Sequence, residues 1–217
     1  MKIELKNISI KELSKDYSDD GEGGVKGYGG KLDIRPPFQR EFVYGDKERN
    51  AVIDTVSKGF PLNVMYWAVR KNGTFEIIDG QQRTISICQF INRTFSYKKK
   101  YFQNLQEDEQ SKILNYELSV YLCTGTDTEK LEWFKTINIA GKELTDQELR
   151  NAVFHGSWVS AAKKWFSKNS CPAYQIGKDY LNGTPNRQDF LETAIKWISS
   201  NKINDYMGQN SDKKNAD

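Results

Sequence analysis

The sequence predicts an α+β chain: a mixed strand-and-helix half followed by a helical extension. Three observations lead there. Short apolar runs bounded by turn residues recur up to about Leu122, as strands do. Beyond Thr124 the apolar residues fall at helical spacing, behind pairs that read as capping boxes. Between the two regimes lies F-E-I-I-D-G-Q-Q-R-T-I-S-I-C-Q-F-I, Phe75 to Ile91, where a strand pattern passes through a D-G turn into a helix pattern.

Composition narrows the class of protein. A chain of 217 residues, 37% hydrophobic and 28% charged, can bury a sizeable core as one large domain or two small ones. Net charge is only +3, so any nucleic-acid surface has to be a local patch. The three cysteines, Cys88, Cys123 and Cys171, lack metal-type spacing and read as buried thiols of a reducing, cytoplasmic setting. His155 is the sole histidine, which argues against a His-rich metal site or an HNH-type nuclease centre. The first ten residues alternate Lys, Glu and Asn with apolar residues, unlike a signal peptide, and no run reaches membrane-spanning length.

Taken in order, Ile3, Leu5 and Ile8 suggest a first strand, then a short helix from Ser9 to about Tyr17. Residues 19–30 hold six glycines and read as a loop; they lack the Lys-Ser/Thr of a phosphate-binding Walker loop. Pro36 and Pro37 force extended backbone over 32–44, with Phe38, Phe42 and Val43 as core plugs and Gln39, Arg40 and Tyr44 left over to face a site. Asp46 caps a helix to about Lys58 whose buried face is Val52, Ile53, Val56 and Phe60, stopped by Gly59 and Pro61. Strands at 64–69 and 74–78 pair through an Asn72-Gly73 hairpin.

The run 92–106 is basic and aromatic. Lys98, Lys99 and Lys100 between Tyr97 and Tyr101 read as a solvated hairpin or loop, or as a phosphate-contacting DNA patch with stacking aromatics. A strand follows at 116–122. Thr126 with Glu129 opens a helix over 130–139 that turns Leu131, Phe134 and Ile137 inward, and Thr145 with Glu148 opens another. Trp158, Ala162, Trp165 and Phe166 mark a third. From Pro172 the chain reads as irregular. A last helix starts at 184–186 and runs to Ile198, with Phe190, Leu191, Ala194, Ile195 and Ile198 on its core side; a polar, frayed tail follows from Asn201. The expected division is 1–123, 124–200 and a tail of 201–217.

The corner at 75–91 carries the chemistry. A helix N-terminus offers unpaired N–H groups and partial positive charge. Gly80 lets backbone approach a ligand closely. Arg83 adds a fork of donors suited to phosphate, and Asp79 a carboxylate able to hold a metal or orient a water. An ordinary solvated turn is the alternative.

Four blocks carry a family resemblance: I-R-P-P-F-Q-R-E-F-V-Y (Ile34 to Tyr44), I-D-G-Q-Q-R-T (Ile78 to Thr84), F-K-T-I-N-I-A-G-K-E-L-T-D-Q-E-L-R-N-A (Phe134 to Ala152) and, more weakly, N-R-Q-D-F-L-E (Asn186 to Glu192). Together they resemble the DGQQR-motif domain at the N-terminus of GmrSD-type, modification-dependent restriction enzymes and related phage-defence proteins. The resemblance implies a ParB/sulfiredoxin-like mixed sheet and a domain that binds, and is expected to hydrolyse, a nucleoside triphosphate with Mg²⁺. It implies a site of Asp79, Gln81, Gln82 and Arg83, with Asp79 as the metal ligand. It implies Gly80 and Thr84 beside them, Gln39 and Arg40 facing from the proline block, and Asn138, Arg150 and Asn151 completing or supporting the pocket. For Arg150 a salt bridge with a neighbouring Glu is the competing reading. The implied partners are the nucleotide, DNA and a nuclease domain or partner subunit, with no membrane and a homo-oligomer left open. Nothing here resembles the nuclease half, so nuclease activity is not expected of this chain. Rival readings are a non-catalytic DNA-binding module that uses the motif as a phosphate clamp, and a metal-dependent nickase acting through Asp79.

Overall fold

The computed structural model describes residues 1–20, 24–36, 39, 42–138, 145–168, 170–182 and 188–213. Internal contacts divide the chain into two compact units, 1–36 with 42–134, and 37–41 with 135–217. The division falls at 134/135, further along the chain than the composition change at 123/124, and it assigns part of the proline block to the second unit.

The first unit is built on a seven-stranded mixed sheet, which makes the chain α+β as the sequence predicts. The strands are β1 (Lys2–Ser9), β2 (Ser18–Asp19), β3 (Val25–Gly27), β4 (Leu32–Asp33), β5 (Met65–Val69), β6 (Phe75–Asp79) and β7 (Glu117–Thr124). Their order is β1-β7-β5-β6-β4-β3-β2. The β5–β6 hairpin is antiparallel, as Asn72-Gly73 requires, while β7 lies parallel to β5 and β4 parallel to β6. Helices α1 (Ile10–Leu13), α2 (Asp46–Lys58), α3 (Gln81–Ile91), α4 (Glu107–Leu114) and the start of α5 (Asp127–Asn138) complete it.

The core centres on Trp67 and Phe90, both fully buried, with Met65, Ile77, Ile85, Ile87, Val120 and Ile53 around them. Burial of each large apolar side chain stabilises the fold by about 1.5–3 kcal/mol. Helix α3 has Thr84, Ile85, Ser86, Ile87, Cys88 and Phe90 all buried, so it is an interior helix whose position is fixed on several sides. The three cysteines are buried and free, as expected.

Several elements depart from the sequence reading. The glycine-rich stretch is not simply a loop: Ser18 pairs with Lys26 and Asp19 with Val25, because Val25 is a buried anchor that pulls the segment into the sheet. Gly45, not Asp46, is the N-cap of α2. Phe60 is 58% exposed rather than buried, since left-handed Gly59 (φ 72°) ends α2 and the chain turns away. Helix α4 was not foreseen: its box, Gln106 with Glu109, uses glutamine, a weak N-cap signal.

The second unit is helical: α6 (Asp146–Val153), α7 (Ser157–Phe166), α8 (Pro172–Gly177), α9 (Gln188–Ile198) and α10 (Ile203–Asn210). The Thr145–Glu148 box that starts α6 is present in full. Trp158, Val159, Ala162, Leu191, Ile195, Ile203 and Met207 form its core. Pro172 begins a helix at N1, where its missing N–H costs nothing, so the expected irregular stretch is α8. The expected frayed tail is largely α10, held down by Ile203 and Met207. Ile198, expected on the core side of its helix, is 59% exposed, as is Trp165 of α7. The expected helix start at 184–186 lies outside the described residues. Among the described residues no helix is long and apolar enough to cross a membrane.

Candidate functional site

β6 delivers Asp79 to the edge of the corner, and Gly80 makes the turn with φ 99°. A Cβ on Gly80 would sit 2.7 Å from Met65 Cγ, so both the dihedral and the space demand glycine. Helix α3 begins at once: its N-cap, Gly80, has no side chain to offer, and no acidic residue stands in its first turn. Arg83, one turn in, lies 14% exposed and folds back: Nη2 meets Asp79 Oδ2 at 2.9 Å and the Val64 carbonyl at 3.2 Å, and Nη1 donates to the Asn63 carbonyl. The Asp79 side chain stays 39% exposed. The two expected partners thus meet at one corner, the arginine as its anchor and the carboxylate as its open face.

The glutamines are engaged elsewhere. Gln82 Oε1 accepts from the backbone N–H groups of Val43 (2.8 Å) and Tyr44 (3.2 Å), and its Nε2 donates to Gln81 Oε1 at 3.0 Å. Both are almost fully buried. In this conformation Gln82 is a clamp that fixes the segment after the proline block against α3. Thr84 is also buried, its hydroxyl 3.4 Å from Met65 Sδ.

The aromatic neighbours of Asp79 were missed by the sequence reading. Tyr66 pairs across the sheet with Asp79, stacks on Tyr121 (centroids 5.4 Å apart) and meets Trp133 edge-on at 5.6 Å. Burial, then the Tyr121 and Asp79 charges, raise the Tyr66 phenol. Strand parity was the available signal: Trp67 points to the core, so Tyr66 points to the other face.

The remaining residues expected of the nucleotide pocket lie in the second unit or outside the described residues. Arg40 is outside the described residues, as is the Asn138 side chain. Gln39 is buried, and its carbonyl accepts from Lys163 Nζ at 3.0 Å. Arg150 is salt-bridged, at 3.4 Å to Glu192 and 3.9 Å to Asp146, and Nε donates to Asn204 at 3.2 Å. Lys196 first, and Arg150 with it, hold the Glu192 carboxyl below its ordinary range. Asn151 is buried in a polar chain: it accepts from Gln147 Nε2 at 2.9 Å and donates to Gln188 Oε1 at 3.0 Å, which also accepts from Ser167. This chain joins the third sequence block to the fourth, and Gln147, Ser167 and Gln188 are members that the motif reading passed over.

Lys98, Lys99 and Lys100 sit on a turn closed by reciprocal backbone bonds between Tyr97 and Lys100, 2.9 Å each way. All three are exposed.

A family model described as "GmrSD restriction endonuclease, N-terminal domain" matches residues 25–155, more than half of the chain. The chain belongs to that family. Its place is therefore in a restriction system directed at DNA. No curated protein and no solved structure matches the chain. The match to the GmrSD N-terminal family takes in the proline block, the D-G-Q-Q-R corner and the E-L-R-N block, but ends before Gln188.

Proposed function

We propose that the first unit is a ParB-like nucleotide-binding domain that takes a nucleoside triphosphate at the β6–α3 corner, and that its hydrolysis regulates a nuclease. One observation carries the reading: a part-exposed carboxylate, Asp79, held by Arg83 at the N-terminus of a helix whose cap is a glycine. Helix amides and a guanidinium are the donors that phosphate oxygens accept. Family membership supplies the nuclease and DNA to be regulated.

The donor set also suits Mg²⁺. Among the described residues no group of three His, Cys, Asp or Glu side chains converges, so no all-protein cage is on offer. Mg²⁺ accepts one or two carboxylates plus substrate phosphates and water, and Asp79 fits that mode. When bound it would neutralise charge on the phosphates. The chain's own residues then divide the work. Arg83 holds the corner closed through Asn63 and Val64, Asp79 orients the attacking water or the ion's shell, and Gln82 keeps 43–44 seated over α3.

The test is a thermal shift of the chain with ATP, GTP, CTP and UTP, with and without Mg²⁺, together with phosphate release. A selective, Mg²⁺-dependent rise is expected, since a ligand bound only to the folded state stabilises by mass action. Asp79→Asn should remove the Mg²⁺-dependent part and the turnover. Absence of any shift and of any phosphate release with all four nucleotides overturns the reading. DNA binding through this corner without nucleotide affinity would make it a phosphate clamp instead.

A further inference from the structure

The turn at Tyr97–Lys100 is built against local preference. Lys98 (φ 48°) and Lys99 (φ 64°) are both left-handed, as the two central residues of a type I′ turn must be. Asn-Gly or Gly-Gly is the usual solution, because a Cβ is disfavoured there. Two consecutive lysines at such positions are held by something outside the turn. Asp54, on α2, does the holding: Oδ1 accepts from the Tyr97 hydroxyl and from Lys98 Nζ at 3.0 Å, and Oδ2 meets Lys58 Nζ at 2.5 Å. Tyr97 in turn is anchored edge-on against buried Phe90.

The outcome is a fixed basic surface. Asp54 is shared by Lys58 and Lys98, so a single carboxylate faces two ammonium groups. Lys99 and Lys100 make no ion pair among the described residues and point to solvent from the turn. Lys112, in the last turn of α4, brings its Cε within 3.8 Å of where a Cβ on Gly59 would stand, beside Lys58. The acidic residues of α4, Glu107, Asp108 and Glu109, are in its first turn, at the other end of the helix. Phe60 and Tyr101 are exposed at the margin, with Lys58 Nζ 6.0 Å from the Phe60 ring centre.

We infer that this surface, Lys58, Lys98, Lys99, Lys100 and Lys112 organised by Asp54, is a docking face for the phosphate backbone of duplex DNA. Strain kept at a surface turn points to function when surrounding structure over-determines it. Here the strained residues are the cations themselves. A cluster of ammonium groups gives sequence-independent affinity through counterion release. DNA is the polyanion that the family works on. The inference stands apart from the nucleotide site, which lies on other residues.

The experiment is anisotropy of the full chain with a short labelled duplex, titrated across roughly 50–200 mM salt, the range over which phosphate contacts weaken binding steeply. Lys99→Gln/Lys100→Gln should weaken binding at low salt and reduce the log–log salt slope by about two phosphates' worth, about 0.9 each. Lys99→Arg/Lys100→Arg should retain both, and Lys11→Gln/Lys15→Gln, two exposed lysines of the α1 region, should change neither. Lys99→Gly adds a readout of its own: it removes a charge and relieves the left-handed strain, so the melting temperature should rise while affinity falls. No duplex binding at the lowest salt overturns the inference. So does an unchanged slope in the Lys99/Lys100 glutamine variant, or an equal loss in the Lys11/Lys15 control.

Discussion

Arg83 shows how much of a motif residue's role is structural. Sequence reasoning sees a phosphate ligand; the structure shows a guanidinium bonded to a carboxylate and two backbone carbonyls, those of Asn63 and Val64. Arg83→Ala should therefore destabilise the fold by about 2 kcal/mol, the scale of lost charge-assisted bonds, besides any effect on ligand. Urea unfolding followed by tryptophan fluorescence measures it; a variant as stable as the parent would show that these bonds contribute nothing net. Asp54 makes a prediction in pH. Lys58 most, then Tyr97 and Lys98, hold its carboxyl well below the ordinary value. A depressed carboxylate contributes stability that is complete above its unfolded pKa, near 4, and is lost as pH falls through the folded value. The difference in melting temperature between the parent and Asp54→Asn should be constant from neutral pH down to about 5 and close below about 4. A difference that persists unchanged in strong acid would remove the ion cluster as its source. None of this pairing was legible in the sequence, because Asp54 and Lys98 stand on different elements and only packing brings them together.

At the scale of elements, the β6–α3 corner was legible almost to the residue. An apolar run, a D-G pair and a helical repeat are local signals, and local signals survive into the fold. What escaped was the partner that the corner holds. Gln82 looks like a polar first-turn residue, ordinarily solvated, yet it is buried and takes two backbone amides from a segment 38–39 residues earlier. Periodicity carries no information about such a long-range bond. Gln82→Leu keeps the volume and removes the acceptor, leaving the Val43 and Tyr44 amides without one, at about 1–3 kcal/mol. Hydrogen exchange should then speed up at Val43 and Tyr44 while β5 and β6 stay protected. Equal loss across β5 and β6 would assign Gln82 to the core of the sheet instead of to the clamp. The same limit explains α4 and α8, whose weak or ambiguous starts, Gln106 and Pro172, gave no clear helical signal, whereas both Thr–x–x–Glu boxes did.

At the scale of the chain, hydropathy marks a change of architecture but not where one compact unit ends. Strand patterns stop at β7, while the contacts place the start of α5 with the sheet and residues 37–41 with the later helices. Only three-dimensional contact could reassign a five-residue piece across nearly a hundred positions. The two units also differ in what holds them. The first buries Trp67, Phe90, Met65 and a ring of Ile and Val side chains around an interior helix. The second rests on Trp158, Val159, Ala162, Leu191, Ile195, Ile203 and Met207, with a buried chain of amides from Gln147 to Ser167 beside them. Trp158 is the largest side chain in that core, 4% exposed, and packs edge-on against Tyr206 of α10 at 5.8 Å. Trp158→Ala should cost about 3–5 kcal/mol, the range for deleting a buried aromatic, enough to open a small helical core outright. Because most contacts are internal to each unit, the loss should stay local. Hydrogen exchange read by mass spectrometry should show peptides from α7, α9 and α10 losing protection while those from β5, β6 and β7 retain it. If the strands lost protection in step with the helices, the two units would be one cooperative block, and any ligand of the β6–α3 corner, such as the nucleotide proposed for it, would then stabilise α7 and α10 as strongly as the sheet.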